Sequence, residues 1–262
     1  MIRDTWVIAR RGIKHLRRQP EMLVDATVQP IMFVLLFGYV FGGAVRVPDN
    51  GSYRDFFMGG VFSQTIVFGA FGVAIALAYD RQSGAIDRFH SLPIPRFAVL
   101  GGHAVASLLK SLLPVVLMTI SGFIVGWGLH GSAGNVALGY VLMIAFSFAM
   151  VWIGVLLGSL LSTPEGVQGL AFVFIFPLTF VAGTYVPVET LPDGLRQFAQ
   201  WNPVTGLAQA LRHLFGNPGG KLPADGPWCL QHPVEYTFLW VAVILLVAAP
   251  LAVRLYQRSI RT

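Results

Sequence analysis

Side chains that could do chemistry are few in this chain, and their positions restrict what it can do. Of its 262 residues, 11% are charged and 55% are hydrophobic. Ion and proton relays in membranes use carboxylates inside the apolar stretches, but Asp25, Asp80 and Glu165 lie at the ends of these stretches. Lys110 sits about two turns into one of them, where it can extend its amine towards water. The missing mid-span acid argues against proton-driven transport.

Sequence signatures of nucleotide hydrolysis and hydrolytic catalysis are also missing. The string closest to a phosphate-binding loop, Gly219-Gly220-Lys221-Leu222, lacks the first glycine and the final Ser or Thr that such a loop requires. Neither H-E-x-x-H nor G-x-S-x-G occurs. Cys229 is the single cysteine, so we expect it to be inert. We therefore predict no catalytic residue, no metal site and no cofactor bound by this chain.

The apolar stretches are long enough to cross a bilayer, which takes about 20 residues each. A soluble fold needs more polar residues to cover its surface, whereas lipid solvates an apolar face. We therefore predict an all-α membrane protein with six transmembrane helices. The predicted spans cover about residues 24–45, 56–79, 104–127, 136–162, 166–188 and 236–256.

Basic residues are distributed unevenly between the two sides that six spans create. With both termini on one side, 13 of the 18 Lys and Arg residues fall on that side and 5 on the other. The positive-inside rule then places both termini in the cytoplasm. The predicted transmembrane domain covers residues 21–262, with a cytoplasmic loop at 80–102 and an extracytoplasmic segment at 189–235. The net charge of +6 is explained by this bias, and we expect no nucleic-acid partner.

Residues 1–20 are predicted to form an amphipathic helix at the cytoplasmic interface. Trp6, Ile13 and Leu16 share one face at helical spacing, and basic residues occupy the other face. Such a helix suits a membrane surface that carries anionic lipid, and Pro20 ends it. A simple topology signal would produce the same pattern.

The cytoplasmic loop at 80–102 has the features of a docking element. A short helix over residues 83–91 would place Phe89 on an apolar face, and Pro93 would stop it sharply. A stiff helix with an apolar anchor suits a groove on a partner protein. On these features alone, an ordinary solvated loop is the alternative.

Three stretches of the sequence are distinctive in their order and spacing. The first runs from Asp80-Arg-Gln-Ser-Gly84 through Asp87-Arg-Phe to Leu92-Pro-Ile-Pro-Arg96. The second is Ala182-Gly-Thr-Tyr-Val-Pro-Val-Glu-Thr-Leu-Pro192, and the third joins Gln200-Trp-Asn-Pro-Val-Thr205 to Ala210-Leu-Arg212. On a six-span layout they resemble integral-membrane permeases of the type-2 ABC exporter family, in its daunorubicin-resistance-like branch. The resemblance covers nearly the whole chain, although Asp80 and Asp87 stand where family members often carry glutamates.

The resemblance implies a permease that is not itself an enzyme and is energised by a separate cytoplasmic ABC ATPase, which binds ATP and Mg. Two permease chains, identical or related, would pair in a bacterial inner membrane and export a hydrophobic or amphipathic drug, antibiotic or lipid. Short re-entrant helices that contact lipid are expected before the last span. The ATPase would dock on eight residues: Asp80, Arg81, Gly84, Asp87, Arg88, Phe89, Pro93 and Arg96.

In this architecture we expect the substrate pathway to line spans two and five at the seam between the two permease chains. Phe172, Phe176 and Phe180 stand at i, i+4 and i+8, so they share one face of span five. The residues that share a face of span two are Phe57, Gln64, Phe68 and Phe71. An aromatic wall with one amide suits large, partly aromatic substrates. Packing against neighbours or lipid is the alternative for each phenylalanine.

Other functions stay open at this point. Within the family, the substrate could be a lipid-linked polysaccharide. A stand-alone secondary transporter or channel and a membrane-embedded enzyme are the rivals from other classes. Three pairs of glycines also predict close approach between helices: Gly38 and Gly42, Gly122 and Gly126, Gly154 and Gly158.

Overall fold

The computed structural model describes residues 20–42, 45, 47, 51–82, 112–161 and 163–258. The predicted amphipathic helix at 1–20, apart from Pro20, and the cytoplasmic loop beyond Gln82 lie outside the described residues. Within the described ranges all regular structure is helical, with no strand. The all-α prediction is confirmed for this part of the chain.

The helices of the described chain differ widely in length. A single 3-10 turn, Val188–Thr190, lies between the fifth and sixth α-helices. The α-helices are α1 (Pro20–Val40), α2 (Tyr53–Gln82), α3 (Leu112–Val125), α4 (Ala133–Leu160), α5 (Pro164–Phe180), α6 (Asp193–Gln200), α7 (Pro203–Phe215), α8 (Trp228–Gln231) and α9 (Pro233–Arg258).

Local chemistry explains where several helices begin and end. Ser132, Thr163 and Asn202 precede α4, α5 and α7, and each side chain accepts a hydrogen bond from a backbone N–H of the first turn. Proline occupies the first position of α5 and α7, where its missing N–H is not needed. Pro177 removes one backbone donor inside α5, which ends three residues later at Phe180.

Three helices are long and apolar enough to cross a membrane, and they match predicted spans two, four and six: Tyr53–Tyr79, Ala133–Leu160 and Pro233–Leu255. Three shorter apolar helices coincide with predicted spans one, three and five: Ile31–Val40, Leu112–Val125 and Pro164–Phe180. The 17 residues of α5 reach about 26 Å at 1.5 Å per residue, less than the roughly 30 Å of a bilayer core. The full count of six spans therefore stays a prediction.

The end of predicted span five differs from the structure. The prediction extends this span to residue 188, whereas the helix ends at Phe180. Gly183 adopts a φ of 59°, in the left-handed region that breaks a helix. The residues that follow α5 are apolar enough to extend a hydropathy window, but they do not continue the helix.

Contacts between helix ends show how the chain runs through the bundle. Arg54, at the start of α2, donates hydrogen bonds to the Gly38 carbonyl near the end of α1 and to the Val125 carbonyl at the end of α3. The backbone just before α4 donates to the Phe215 carbonyl at 2.8 Å. We call this end of the bundle the cap end, and residues 181–232, which cover it, the cap segment.

The helices α2 and α4 lie side by side at small residues. A Cβ atom on Gly154 would lie 2.3 Å from the Ala70 carbonyl oxygen, and one on Gly158 would lie 2.8 Å from that of Ala74. Contacts this close require glycine, so the predicted approach between helices is confirmed for this pair.

The other two glycine pairs behave differently. A Cβ atom on Gly38 would lie 2.8 Å from the Val125 side chain, and one on Gly122 would lie 2.7 Å from Met58. Their partners Gly42 and Gly126 lie beyond the ends of α1 and α3. One glycine of each pair therefore serves helix packing.

We expect Gly154→Ala to lower the free energy of unfolding by about 1–3 kcal/mol, because the new methyl group must displace the α2 backbone. Gly134→Ala, in the first turn of the same helix, is the matched control, since no atom lies within 4 Å of its added Cβ. That control should be neutral or slightly stabilising. Unfolding in detergent, followed by tryptophan fluorescence, measures both, and equal stabilities would contradict the close packing of α2 on α4.

Candidate functional site

Three phenylalanines form a ladder along one face of α5. The ring centroids of Phe172 and Phe176 are 5.9 Å apart, and those of Phe176 and Phe180 are 4.3 Å apart in a stacked arrangement. These side chains are 68%, 40% and 40% exposed, respectively. The face therefore presents aromatic rings to whatever lies beside the bundle.

The predicted pathway residues of α2 lie at different depths. Phe68 is half-buried, and its ring meets Phe176 edge to face at 6.4 Å between centroids. Phe57, Gln64 and Phe71 are buried inside the bundle. Predicted spans two and five therefore meet at the contact between Phe68 and Phe176. The other three predicted residues of α2 are buried and do not reach the exposed face of α5.

Tyr185 joins the ladder to the interior of the bundle. Its ring centroid lies 5.4 Å from that of Phe180 and 4.6 Å from that of Phe37 on α1. Its hydroxyl donates a hydrogen bond to Oε1 of Gln64, and its carbonyl accepts one from the Tyr53 hydroxyl at 3.2 Å. The buried amide of Gln64 therefore has a polar partner in surroundings that are otherwise aromatic.

The backbone that follows α5 is non-helical over residues 181–187 and is mostly buried. It lies directly against α2, because a Cβ atom on Gly60 would approach the Thr184 carbonyl oxygen to 2.4 Å. The Thr184 hydroxyl also donates to the Thr179 carbonyl at 3.1 Å. Non-helical backbone in a membrane protein is tolerated where protein covers it, and α2 covers this segment.

Arg212 of α7 places a buried cation against this backbone; the residue is only 2% exposed. Its Nε donates to the Phe56 carbonyl at 2.8 Å, and its Nη2 donates to the carbonyls of Gly183 at 2.9 Å and Thr184 at 3.3 Å. The guanidinium carbon lies 3.7 Å from the centroid of the Phe56 ring, a cation–π contact. Burial lowers the pKa of the Arg212 guanidinium to about 9, with the charge of Glu189 acting in the opposite direction. The group therefore stays protonated at neutral pH.

Asn202 links the cap segment to the last turn of α5. Its Nδ2 donates to the Leu178 carbonyl at 2.7 Å, while its Oδ1 accepts a hydrogen bond from the Val204 N–H at the start of α7. Arg212 brings the second and third distinctive sequence stretches into contact, because its hydrogen bonds reach Gly183 and Thr184 of the second stretch. These two stretches form one structural unit.

Neither composition nor periodicity predicts a structural role for Arg212, Asn202 or Tyr185. Arg212 lies within the predicted extracytoplasmic segment at 189–235, where a solvated position is the usual expectation for a basic residue. A signal was available, since a lone arginine within a mostly apolar helix indicates buried hydrogen-bond partners. The identity of those partners, which are backbone carbonyls, has no sequence signature.

Two of the eight predicted ATPase-coupling residues, Asp80 and Arg81, belong to the end of α2 opposite the cap. The 30 residues of α2 reach about 45 Å at 1.5 Å per residue, and the backbone of Asp80 and Arg81 lies in its last turn. The remaining six residues lie outside the described residues: Gly84, Asp87, Arg88, Phe89, Pro93 and Arg96.

The cap segment carries exposed apolar side chains. Leu195, Phe198 and Trp201 on α6 and at its end are exposed, as is Trp228 of α8. Aromatic side chains favour the boundary between a bilayer and water. The predicted re-entry of these short helices into the membrane is consistent with this surface and stays a prediction.

An all-helical bundle with three helices of spanning length and an exposed aromatic face defines a polytopic membrane protein. The ABC-2 type transporter family matches residues 3–215, and the chain belongs to this family. It is therefore the permease component of an ABC transporter, a membrane subunit without catalytic activity of its own.

Two relatives illustrate the similarity. The daunorubicin resistance ABC transporter permease protein DrrB1 of Streptomyces coeruleorubidus is 28% identical over 249 residues, which cover 95% of this chain and 84% of that protein. The inner membrane transport permease YadH of Escherichia coli strain K12 is 25% identical over 209 residues, which cover 77% of this chain and 80% of that protein. The resemblance to permeases of the daunorubicin-resistance type is confirmed.

We expect Tyr185→Phe and Gln64→Leu each to lower the free energy of unfolding by about 1–3 kcal/mol, because each leaves the other buried polar group without its partner. The double variant should lose clearly less free energy of unfolding than the sum of the losses in the two single variants, as a double-mutant cycle in detergent would measure. Tyr39→Phe, which removes a hydroxyl from a side chain that is 61% exposed, is the control and should change stability by less than about 0.5 kcal/mol. Additive costs at Tyr185 and Gln64 would contradict the hydrogen bond between them.

Proposed function

We propose that this chain is the membrane permease of an ATP-driven exporter, which moves hydrophobic or amphipathic molecules with aromatic groups out of the cytoplasm or the inner leaflet. The observation that carries the proposal is the aromatic face that follows α5 and ends at the buried Gln64–Tyr185 pair. Phenylalanine rings bind flat apolar groups by stacking. The amide and the hydroxyl offer hydrogen bonds to the polar groups of an amphipathic substrate.

In this proposal Phe172, Phe176 and Phe180 form the wall of the pathway. The ladder faces outward from the single chain, so a second permease chain opposite it would enclose a passage between the two copies. Gln64 and the buried phenylalanines of α2 lie one layer behind the wall. They would become accessible when the Phe68 and Phe176 rings part while the cap ends of α5 and α2 stay together.

The energy source in this proposal is a separate cytoplasmic ATPase, which holds ATP and Mg and docks on the loop at 80–102. Membership of the ABC-2 type transporter family supports such a partner, and the sequence lacks a phosphate-binding loop of its own. The helix α2 runs from this loop to the cap end without interruption. A movement imposed on the loop would therefore reach Gln64 and the cap segment through one rigid helix.

The distribution of basic residues supports a bacterial inner membrane protein with both termini in the cytoplasm. The cap end then faces outward, and the exposed side chains of Leu195, Phe198 and Trp201 would contact the outer leaflet.

The two rival transport functions fit the ladder less well. A lipid-linked polysaccharide presents many hydroxyl groups, and the three ladder side chains offer no hydrogen-bond partner to them. A stand-alone secondary transporter coupled to protons needs a titratable group on its pathway, and the ladder carries none.

The ladder leads to a transport prediction that uses daunorubicin as the probe, since DrrB1 is named for resistance to it. Phe176→Ala should raise the concentration for half-maximal ATP-dependent uptake into inverted membrane vesicles by roughly tenfold, because the substrate would lose the central ring of the ladder as a stacking partner. Phe174→Ala is the matched control, because Phe174 is also exposed but lies on the other side of α5. Equal losses for the two variants would contradict a role for this face.

The docking loop leads to a second prediction. Phe89→Asp places a charge on the apolar anchor of the loop, so it should release the ATPase while leaving the permease folded. Purification in mild detergent, followed by an ATP hydrolysis assay, measures what remains bound. Phe198→Asp makes the same change in the cap segment, and it should retain the ATPase. Retention by the Phe89 variant would contradict the docking site, and a wild-type chain that binds no ATPase would contradict the proposed function.

A further inference from the structure

One guanidinium joins three parts of the chain at the cap end. Arg212 belongs to α7, and its hydrogen bonds reach the Phe56 carbonyl in the first turn of α2 and the Gly183 and Thr184 carbonyls just beyond α5. Among the described residues no carboxylate lies within salt-bridge distance of it. The cation is therefore stabilised by backbone carbonyls, and these carbonyls come from two different elements.

The elements around Arg212 are closely packed at two glycines of α2. A Cβ atom on Gly59 would lie 3.0 Å from the Ala208 carbonyl oxygen and 3.0 Å from Cγ of Arg212. A Cβ atom on Gly60 would lie 2.4 Å from the Thr184 carbonyl oxygen. At these two successive glycines α2 packs directly against α7 and against the chain beyond α5. Packing this tight allows only small displacements of the three elements relative to one another.

The chemistry of the contact requires arginine. Nε binds the carbonyl of α2, while Nη2 binds the carbonyls beyond α5. The planar guanidinium fixes these two donors relative to each other, so the two elements are held in one register. Lysine has a single nitrogen at the end of a flexible stem and cannot hold both elements in the same way.

We propose that Arg212 is a positioning residue for transport, which holds the cap end of α5 to α2 so that ATP-driven movement of α2 carries the aromatic face of α5 with it. The clamp itself follows from the geometry, and its consequence for transport rests on the proposed function. Without the cation, α2 would move while α5 stayed behind, and ATP hydrolysis would continue without export.

Hydrogen exchange on the purified full-length chain in lipid nanodiscs tests the clamp without any substrate. Arg212→Met should accelerate exchange over residues 181–187 by about tenfold, while α4 and α9 keep wild-type rates. The exchange rate over residues 181–187 in Arg212→Lys should lie between those of wild type and Arg212→Met. Arg196→Met is the matched control, because Arg196 belongs to the same cap segment but pairs with exposed Asp193 at 2.6 Å, and it should match wild type.

A second variant produces the same opening with the guanidinium intact. Gly60→Ala places a methyl group on the Thr184 carbonyl, so it should also accelerate exchange over residues 181–187. If Arg212→Met fails to fold, this variant still tests whether the chain beyond α5 depends on its contact with α2.

The reconstituted complex with its ATPase tests the consequence for transport. Arg212→Met should raise the number of ATP molecules hydrolysed per daunorubicin moved by about tenfold, with the hydrolysis rate itself changed by less than about twofold. Arg212→Lys should restore part of the coupling. A residue that only stabilises the fold would instead lower hydrolysis and transport together.

Three results would overturn the proposal: unchanged exchange over residues 181–187 in a folded Arg212→Met variant (or in Gly60→Ala, if Arg212→Met does not fold), acceleration throughout the protein, or a parallel loss of hydrolysis and transport. A wild-type complex that hydrolyses ATP but moves no daunorubicin counts against the proposed function. In that case hydrogen exchange over residues 181–187 still tests whether Arg212 holds this segment to α2.

Discussion

The contact between the buried Arg212 guanidinium and three backbone carbonyls determines how the cap end of the bundle is arranged. Removing a cation from water is costly unless its donors are satisfied, and non-helical backbone inside a membrane protein is costly unless its carbonyls find donors. The two requirements are met together here, since Arg212 donates to Phe56, Gly183 and Thr184 and lies against the Phe56 ring. The break after α5 is therefore stable because α7 folds back over it.

The central position of α2 makes this arrangement relevant to function. This helix contacts α4 at Gly154 and the chain beyond α5 at Gly60, and Gln64 on it accepts the hydrogen bond from Tyr185. Its opposite end leads into the loop where an ATPase is expected. A single helix thus connects the expected site of energy input with the buried polar pair at which the aromatic ladder of α5 ends.

Composition and periodicity predicted the features that depend on local pattern. Long uncharged stretches predicted the apolar helices, and the spacing of Phe172, Phe176 and Phe180 predicted their shared face. Features that depend on neighbours could not be predicted in this way. Periodicity does not show that Phe57 is buried while Phe172 is exposed, because burial depends on which helix packs there. Hydropathy likewise extended span five to residue 188, since it does not distinguish a helix from buried non-helical backbone.

We propose that ATP hydrolysis by a partner drives an aromatic, amphipathic substrate along this permease. The most direct measurement is daunorubicin uptake into proteoliposomes that contain the permease with its copurified ATPase and no ion gradient. We expect uptake that requires hydrolysable ATP and persists when a proton ionophore is added. Uptake that needs no ATP and follows an imposed pH gradient would contradict it.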